Sequence, residues 1–423
     1  MAAGRHRRRD GRSRRARDLH LVPGAPGPRD PRGRPRAAAR DGRGGGLRAA
    51  ARAPGVRRDR ALRGARPHRP GPAPDPGAAA SVEPEPHSLA PPGGGQPARF
   101  PRHVRRASPV TGERAAPQLT LGIRNYAAAP PEDWRHVLDQ ARAAEDAGLD
   151  RVFVSDHVVF GPDLGAYGDP GRGGRAGGRQ PTGPDGDWLE SLTVLASLAA
   201  VTSRVRLATN VLVAPLRPPV LLAKVAATID ALSGGRLELG VGIGWQEAEY
   251  RALGVDFSKR GQVLDELLAA CRELWTSPVA AFEGRHVRFA DVHMMPKPVR
   301  ASGVPVWIGG SVRPVVARRI VRHGVGWIPW GVTAGDFGSA LREMRRLVES
   351  EGGDFGGVQV AYPLTNAFRS GGRIDYPAMF AAAGALAEQG VTDFRTLLRV
   401  PHRYDEARSM LDEMVREFAG AVG

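Results

Sequence analysis

Cysteine is almost missing from this 423-residue chain. Cys271 stands alone, which excludes an intramolecular disulfide framework and any multi-cysteine zinc or iron–sulfur site. Lysine is nearly as scarce: of 61 basic residues only Lys224, Lys259 and Lys297 are lysines. No apolar run approaches the roughly 18 residues that a membrane-spanning helix needs, so no membrane partner is expected. Arg5, Arg7, Arg8 and Arg9 are not followed by an apolar core of about 7–15 residues, so a secretory signal is not expected and the cytoplasm is the default location. There is no His-x-x-x-His pair, Gly-x-Ser-x-Gly elbow or Gly-Lys-Ser/Thr phosphate loop. His286 and His293 lack metal-ligand spacing, and no metal site is expected.

The charge that is present is unevenly spread. Residues 1–114 hold 27 Arg, no Lys and nine acids, a net of +18, whereas the remainder holds 34 basic and 35 acidic residues, a net of −1. The formal charge of +17 thus belongs to the first quarter of the chain. Residues 1–116 are mainly Arg, Pro, Gly and Ala, with too few large apolar side chains to bury a core, and read as a disordered tail. Such an arm can pair guanidinium groups with phosphate, but it lacks interleaved aromatics and patterned basic repeats, so nucleic acid is not the expected partner. A targeting segment fits no better, because the tail is Pro-rich and not amphipathic. Translation of GC-rich DNA upstream of the true start accounts best for the composition.

After Pro117 the pattern changes, and residues 117–423 read as one folded domain. Short, largely apolar strands are predicted over 119–124, 151–155, 205–208, 237–241, 304–308, 326–328, 358–363 and 393–397. Helical periodicity covers 134–147, 188–201, 219–232, 261–275, 315–323, 337–350, 377–389 and 404–419, with a hairpin over 281–289. Eight strands alternating with helices predict an α/β fold, a (β/α)8 TIM barrel with insertions; a doubly wound open sheet is the alternative. In a barrel the chemistry sits on loops at the strands' C-terminal ends. Cys271 falls on the apolar stripe of Leu267, Leu268 and Leu274 and reads as core.

Those loops carry recognisable chemistry. The second strand ends in Ser155-Asp156-His157, and a His beside a carboxylate can handle protons near neutral pH. Residues 161–187 follow with ten glycines and four prolines, a lid or binding loop or else a floppy insertion. The third strand runs into Thr209-Asn210-Val211. The fourth ends Gly240-Val241-Gly242-Ile243-Gly244-Trp245, where glycines let a planar ligand approach the backbone; this is not a dinucleotide fingerprint. The fifth ends in Gly309-Gly310-Ser311 before a helix, a place for a phosphate or simply a capped turn. Trp330, after the sixth, reads as a wall for an apolar substrate or as core.

Together these motifs resemble the bacterial luciferase-like monooxygenase superfamily, especially its coenzyme F420-dependent oxidoreductases, over roughly residues 118–400. The segments that carry the resemblance are Ala144-Glu145-Asp146-Ala147-Gly148-Leu149-Asp150 leading to Asp156-His157, residues 207–219, Leu232-Ser233-Gly234-Gly235-Arg236 through Trp245, Phe282-Glu283-Gly284, and Pro305-Val306-Trp307-Ile308-Gly309-Gly310. The resemblance implies a luciferase-like barrel with a deazaflavin (F420) or FMN ring across its C-terminal mouth. Asp156 and His157 would border the ring as catalytic residues, with His157 handling protons. Thr209, Asn210, Val211 and Gly242 would lie under the ring, with a cis peptide at Asn210–Val211, and Gly309, Gly310 and Ser311 would contact the phosphate. Family members that oxidise glucose 6-phosphate carry a catalytic Glu where this chain has Trp245, so a flatter, more apolar substrate is expected between Trp245 and Trp330. The implied activity is hydride transfer between deazaflavin and a small organic substrate, by a homodimer. The alternatives are an FMN-dependent monooxygenase using oxygen and a separate reductase, a non-catalytic ligand-binding paralogue, and a basic-tailed nucleic-acid binder.

Overall fold

A computed structural model describes residues 116–423. The predicted disorder of residues 1–116 therefore falls, apart from Ala116, outside the described residues. Eight parallel strands carry the domain: β1 Gln118–Gly122, β2 Arg151–Val154, β3 Arg206–Thr209, β4 Leu237–Gly242, β5 Val306–Gly310, β6 Gly326–Pro329, β7 Gln359–Pro363 and β8 Asp393–Thr396. Each pairs with the next in chain order, and β8 returns to β1 in the register Gln118↔Asp393 to Leu121↔Thr396. That last pairing closes the barrel and excludes the open sheet.

Side chains alternate between the two faces of a strand, and the two faces here have different chemistry. Outward-facing Leu121, Val152, Leu207 and Val241 are fully buried against helices that include α1 (His136–Ala147), α2 (Ser191–Val201) and α3 (Pro219–Ser233). Truncating such a residue, for example Leu207→Ala, removes about 2–5 kcal/mol. Helix α1 ends at Gly148, whose φ of 92° and N–H to the Ala144 carbonyl form the left-handed cap that a side chain would disfavour. Cys271 is packed in α5 (Arg260–Thr276), where burial pushes its thiol up to about 12.

The inward face is charged. Arg151 donates to Glu238 at 2.9 Å and lies 2.9 Å from Asp393; Arg206 reaches Glu238 at 3.3 Å and Arg395 reaches Asp393 at 2.6 Å. Trp307 adds its indole N–H to Glu238 at 2.9 Å. Burial alone would push Glu238 up, but Arg151 and Arg206 outweigh it and hold the carboxyl down at about 2.

Several predicted boundaries shift. Helix 377–389 is two helices, Tyr376–Phe380 and Ala383–Gln389, separated at Ala381-Ala382. Trp188 does not begin α2; it pairs with Tyr126 in a two-residue ladder across the mouth, and the rings stack at 4.4 Å. A short helix, α4 (Glu247–Ala252), follows β4. Among the described residues no helix is long and apolar enough to cross a membrane, and no group of three or more His, Cys, Asp or Glu could hold a metal ion.

Candidate active site

The chain leaving β2 is fixed before it reaches the reactive residues. Fully buried Asn125, just past β1, donates to the carbonyls of Ser155 and Leu189 at 2.9 and 2.8 Å and accepts from the Ser155 N–H at 3.1 Å. From this anchored point Asp156 and His157 turn to different partners. The structure does not bring the two side chains together as a dyad.

Asp156 is buried and its oxygens are fully engaged. Arg217 grips it bidentately at 2.8 and 2.8 Å, Ser191 donates at 2.9 Å and the Val213 N–H donates at 2.9 Å. Arg217 also reaches Glu190, the N-cap of α2, at 2.8 Å. Such an arrangement binds the loop after β3 to the loop after β2, and suits positioning better than proton exchange.

His157 is 8% exposed and has an aromatic setting. Phe160, Trp188 and Trp245 lie with ring centroids 4.5, 4.9 and 5.8 Å away. Its Nδ1 faces Glu249 Oε2 at 3.4 Å, and the other Glu249 oxygen accepts the Val158 N–H at 2.5 Å. A carboxylate only accepts, so this contact assigns the proton to Nδ1. The lone pair on Nε2 then receives the Gln180 amide at 3.3 Å. An imidazole oriented by a buried carboxylate, whose far nitrogen keeps a lone pair held only by the Gln180 amide, can take up a proton there when a substrate displaces that amide.

The floor of the mouth is built from backbone and glycine. The Asn210–Val211 peptide is cis, as the resemblance implies. Thr209 is committed to the Gly240 carbonyl at 2.8 Å, and Asn210 accepts from Arg395 at 3.0 Å. Val211 lies between two glycines: a Cβ at Gly242 or at Gly309 would come within 2.8 Å of its methyl groups. Any side chain at either position would displace Val211 and roughen a flat surface.

The chain matches the luciferase-like monooxygenase family over residues 114–371. It belongs to that family. An uncharacterised protein of Mycobacterium tuberculosis is 28% identical over 292 residues, 67% of this chain and 92% of that protein. Among solved structures, the coenzyme F420-dependent tetrahydromethanopterin reductase of Methanopyrus kandleri superposes with a TM-score of 0.52 at 15% identity, over 72% of this chain and 100% of that one. The FMN-bound oxygenating constituent of 3,6-diketocamphane monooxygenase from Pseudomonas putida gives 0.53 at 14% identity, over 73% and 99%. At these identities the structural likeness extends to the fold.

The luciferase-like mouth is covered here by the glycine-rich loop. Residues 161–187 form two 3₁₀ turns, Gly165–Gly168 and Pro170–Arg172, and Tyr167 packs between Trp245 and Trp330 with centroids 5.4 and 5.9 Å away. Trp330 donates its indole N–H to the carbonyls of Gly173 and Gly174 at 3.1 and 3.2 Å. Trp245 and Trp330 therefore meet through the loop. Gly309, Gly310 and Ser311 sit at the end of β5, beside β4, where the Trp327 indole N–H and the Trp330 backbone N–H donate to the Gly310 carbonyl at 2.9 and 3.1 Å.

Sequence reasoning missed Glu249, Gln180, Arg217 and Arg395. Glu249 had one usable signal: it stands four residues beyond the position where sugar-phosphate-oxidising members of this family carry their Glu, on a helix that brings it back to His157. Arg217 fell inside the 207–219 segment and Gln180 inside the 161–187 loop, but nothing in either pointed to its partner, and Arg395 had no signal.

Proposed function

We propose that this luciferase-like protein is a coenzyme F420-dependent oxidoreductase that moves a hydride between the deazaflavin and a small organic substrate. The observation that carries the reading is the His157–Glu249 pair, because hydride transfer to or from a carbon bearing oxygen must be matched by one proton. The mouth fits the cofactor: Val211 between Gly242 and Gly309 offers a flat seat for a ring, with Thr209 and Asn210 beside it, and Gly309, Gly310 and Ser311 lead from there to the N-terminus of α6 (Pro314–His323) for a phosphate. When bound, the deazaflavin supplies two-electron hydride transfer.

The chain's own residues supply the rest. His157 accepts the substrate proton at Nε2 and returns it in the reverse direction. Glu249 holds the imidazole's orientation and stabilises its charged form. Asp156 acts by position, fixing the backbone on which His157 stands. The loop of residues 161–187, with Trp245 and Trp330, excludes water.

Titration with F420 and FMN side by side tests the cofactor. Tight FMN binding with oxygen-dependent turnover would replace this reading with a monooxygenase served by a separate reductase. Full turnover by both His157→Ala and His157→Asn would remove His157 from the chemistry. Pairing of two copies belongs to the same reading: Leu221 and Leu232 on α3 are 58% and 69% exposed beside an apolar groove of about 430 Å³. A monomer by light scattering would refute that part.

A further inference from the structure

The charged interior of the barrel reaches the floor of the mouth through Arg395, on β8. This buried guanidinium lies over the Trp307 ring, 4.6 Å from its centroid. Its Nε donates to Asp393 at 2.6 Å, its Nη1 crosses the barrel to donate to Asn210 Oδ1 at 3.0 Å, and its Nη2 is buried without a partner. Asp393 is shared with Arg151 at 2.9 Å, and Glu238 is taken by Arg151 and Arg206. Two interior carboxylates thus face three guanidinium groups, and Arg395 carries part of its charge to the third strand.

Asn210 follows directly on β3, where its backbone N–H donates to the Val154 carbonyl at 2.9 Å, and it is bonded to Val211, the flat seat between Gly242 and Gly309. Arg395 fixes which way its carboxamide is turned. The reverse orientation would set the NH2 group against the guanidinium, donor against donor. With Oδ1 committed to Arg395, Nδ2 is the half of the carboxamide left over. It has no partner in the protein, and on this half-buried residue it is not sealed away from the mouth. A donor is therefore presented beside Val211, and a buried positive charge stands directly behind it.

Deazaflavin and flavin rings share an edge of carbonyl oxygens and ring nitrogens that accepts hydrogen bonds. A hydride leaving a substrate carbon carries two electrons and one proton to the ring. The carbon is oxidised, and the ring gains one unit of negative charge, which gathers on that edge. We propose that Arg395 is a positioning residue for the cofactor: it holds Asn210 so that Nδ2 donates to the ring's acceptor edge and favours the reduced form. A bond to a charged acceptor is about twice as strong as one to a neutral acceptor, so the donor discriminates between the two oxidation states. The proposal rests on the reading of the mouth as a ring-binding site, and the chemistry it uses is common to both cofactors.

The test measures, for the full chain with F420 and with FMN, the dissociation constants of the oxidised and reduced rings and the two-electron potential of each bound ring. Arg395→Met should weaken binding of the reduced form about 10-fold more than that of the oxidised form, which moves the potential about 30 mV more negative. Loss of packing alone would weaken both forms alike and leave the potential unmoved. Asn210→Ala leaves the interior charges in place and should give the same shift, and the double variant should exceed either single one by less than about 2-fold. An unmoved potential in Asn210→Ala, or additive effects in the double variant, overturns the proposal; the Asn210→Ala potential decides alone should Arg395→Met not fold. The shift with FMN while F420 fails to bind would sink the proposed cofactor and leave Arg395 in its role, and binding of neither ring would remove both.

Discussion

Replacing Glu238 with Gln should cost the barrel about 3 kcal/mol at pH 7. The carboxyl is fully buried, receives Arg151 at 2.9 Å, Arg206 at 3.3 Å and the Trp307 N–H at 2.9 Å, and its pKa falls from 4.5 to about 2. Each unit is worth about 1.36 kcal/mol of preference for the charged form. The glutamine has the shape of the protonated acid, so the variant loses that preference permanently. Because the folded-state pKa is the depressed one, the stabilisation is complete above the unfolded value and disappears as pH falls through the folded value. The gap in unfolding free energy between the two proteins should therefore narrow from about 3 kcal/mol at pH 7 to about 2 kcal/mol at pH 3.5. Urea unfolding followed by tryptophan fluorescence at both pH values measures it directly. A gap below about 1 kcal/mol at pH 7, or one that widens toward acid, would refute the account of how the interior charges are balanced.

Three further outcomes follow from the site. Glu249→Gln removes the charge behind His157 while keeping an acceptor, and should lower kcat by about 10–100-fold, from ~1.5–3 kcal/mol of charge-assisted bonding; unchanged bleaching rates of bound deazaflavin at saturating substrate would sink the pairing. Trp330→Phe deletes the bonds to Gly173 and Gly174, worth ~1–3 kcal/mol together, so trypsin should cut after exposed Arg172 or Arg175 about 5–100-fold faster. An equal cleavage rate means the loop is held elsewhere. Gly309→Ala places a Cβ 2.8 Å from the Val211 methyl and 3.0 Å from the Val241 carbonyl; cofactor dissociation constants should rise about 10-fold or more, and equal affinity would show that the ring is seated away from Val211.

The barrel was legible because its strands are short apolar runs whose outward residues meet helices, and the glycines after β4 and β5 marked the mouth. The limits were geometric. Asp156 and His157 are neighbours in sequence, which suggested a joint role, yet consecutive side chains leaving a strand face opposite ways. Asp156 found Arg217, 61 positions on, and His157 found Glu249, 92 positions away by contact. The charged interior was hidden for the same reason: Arg151 reads as a surface residue until Glu238 and Asp393 are brought around the barrel to meet it. The break at Ala381-Ala382 falls among alanines, the best helix formers, and only Gly384 just beyond it interrupts the run.

Trp330 grips the covering loop through the carbonyls of Gly173 and Gly174, and glycine is needed at that clasp, where Gly173 has a φ of 92° and a Cβ at Gly174 would collide with the Tyr167 and Ala166 carbonyls. Arg172, Arg175 and Ala176 around that grip point into solvent. The loop's surface chemistry is thus separable from its attachment, which makes it an exchangeable part: loops of other composition can be grafted over the same barrel, keeping the two clasped glycines, to present a different entrance to the same His157.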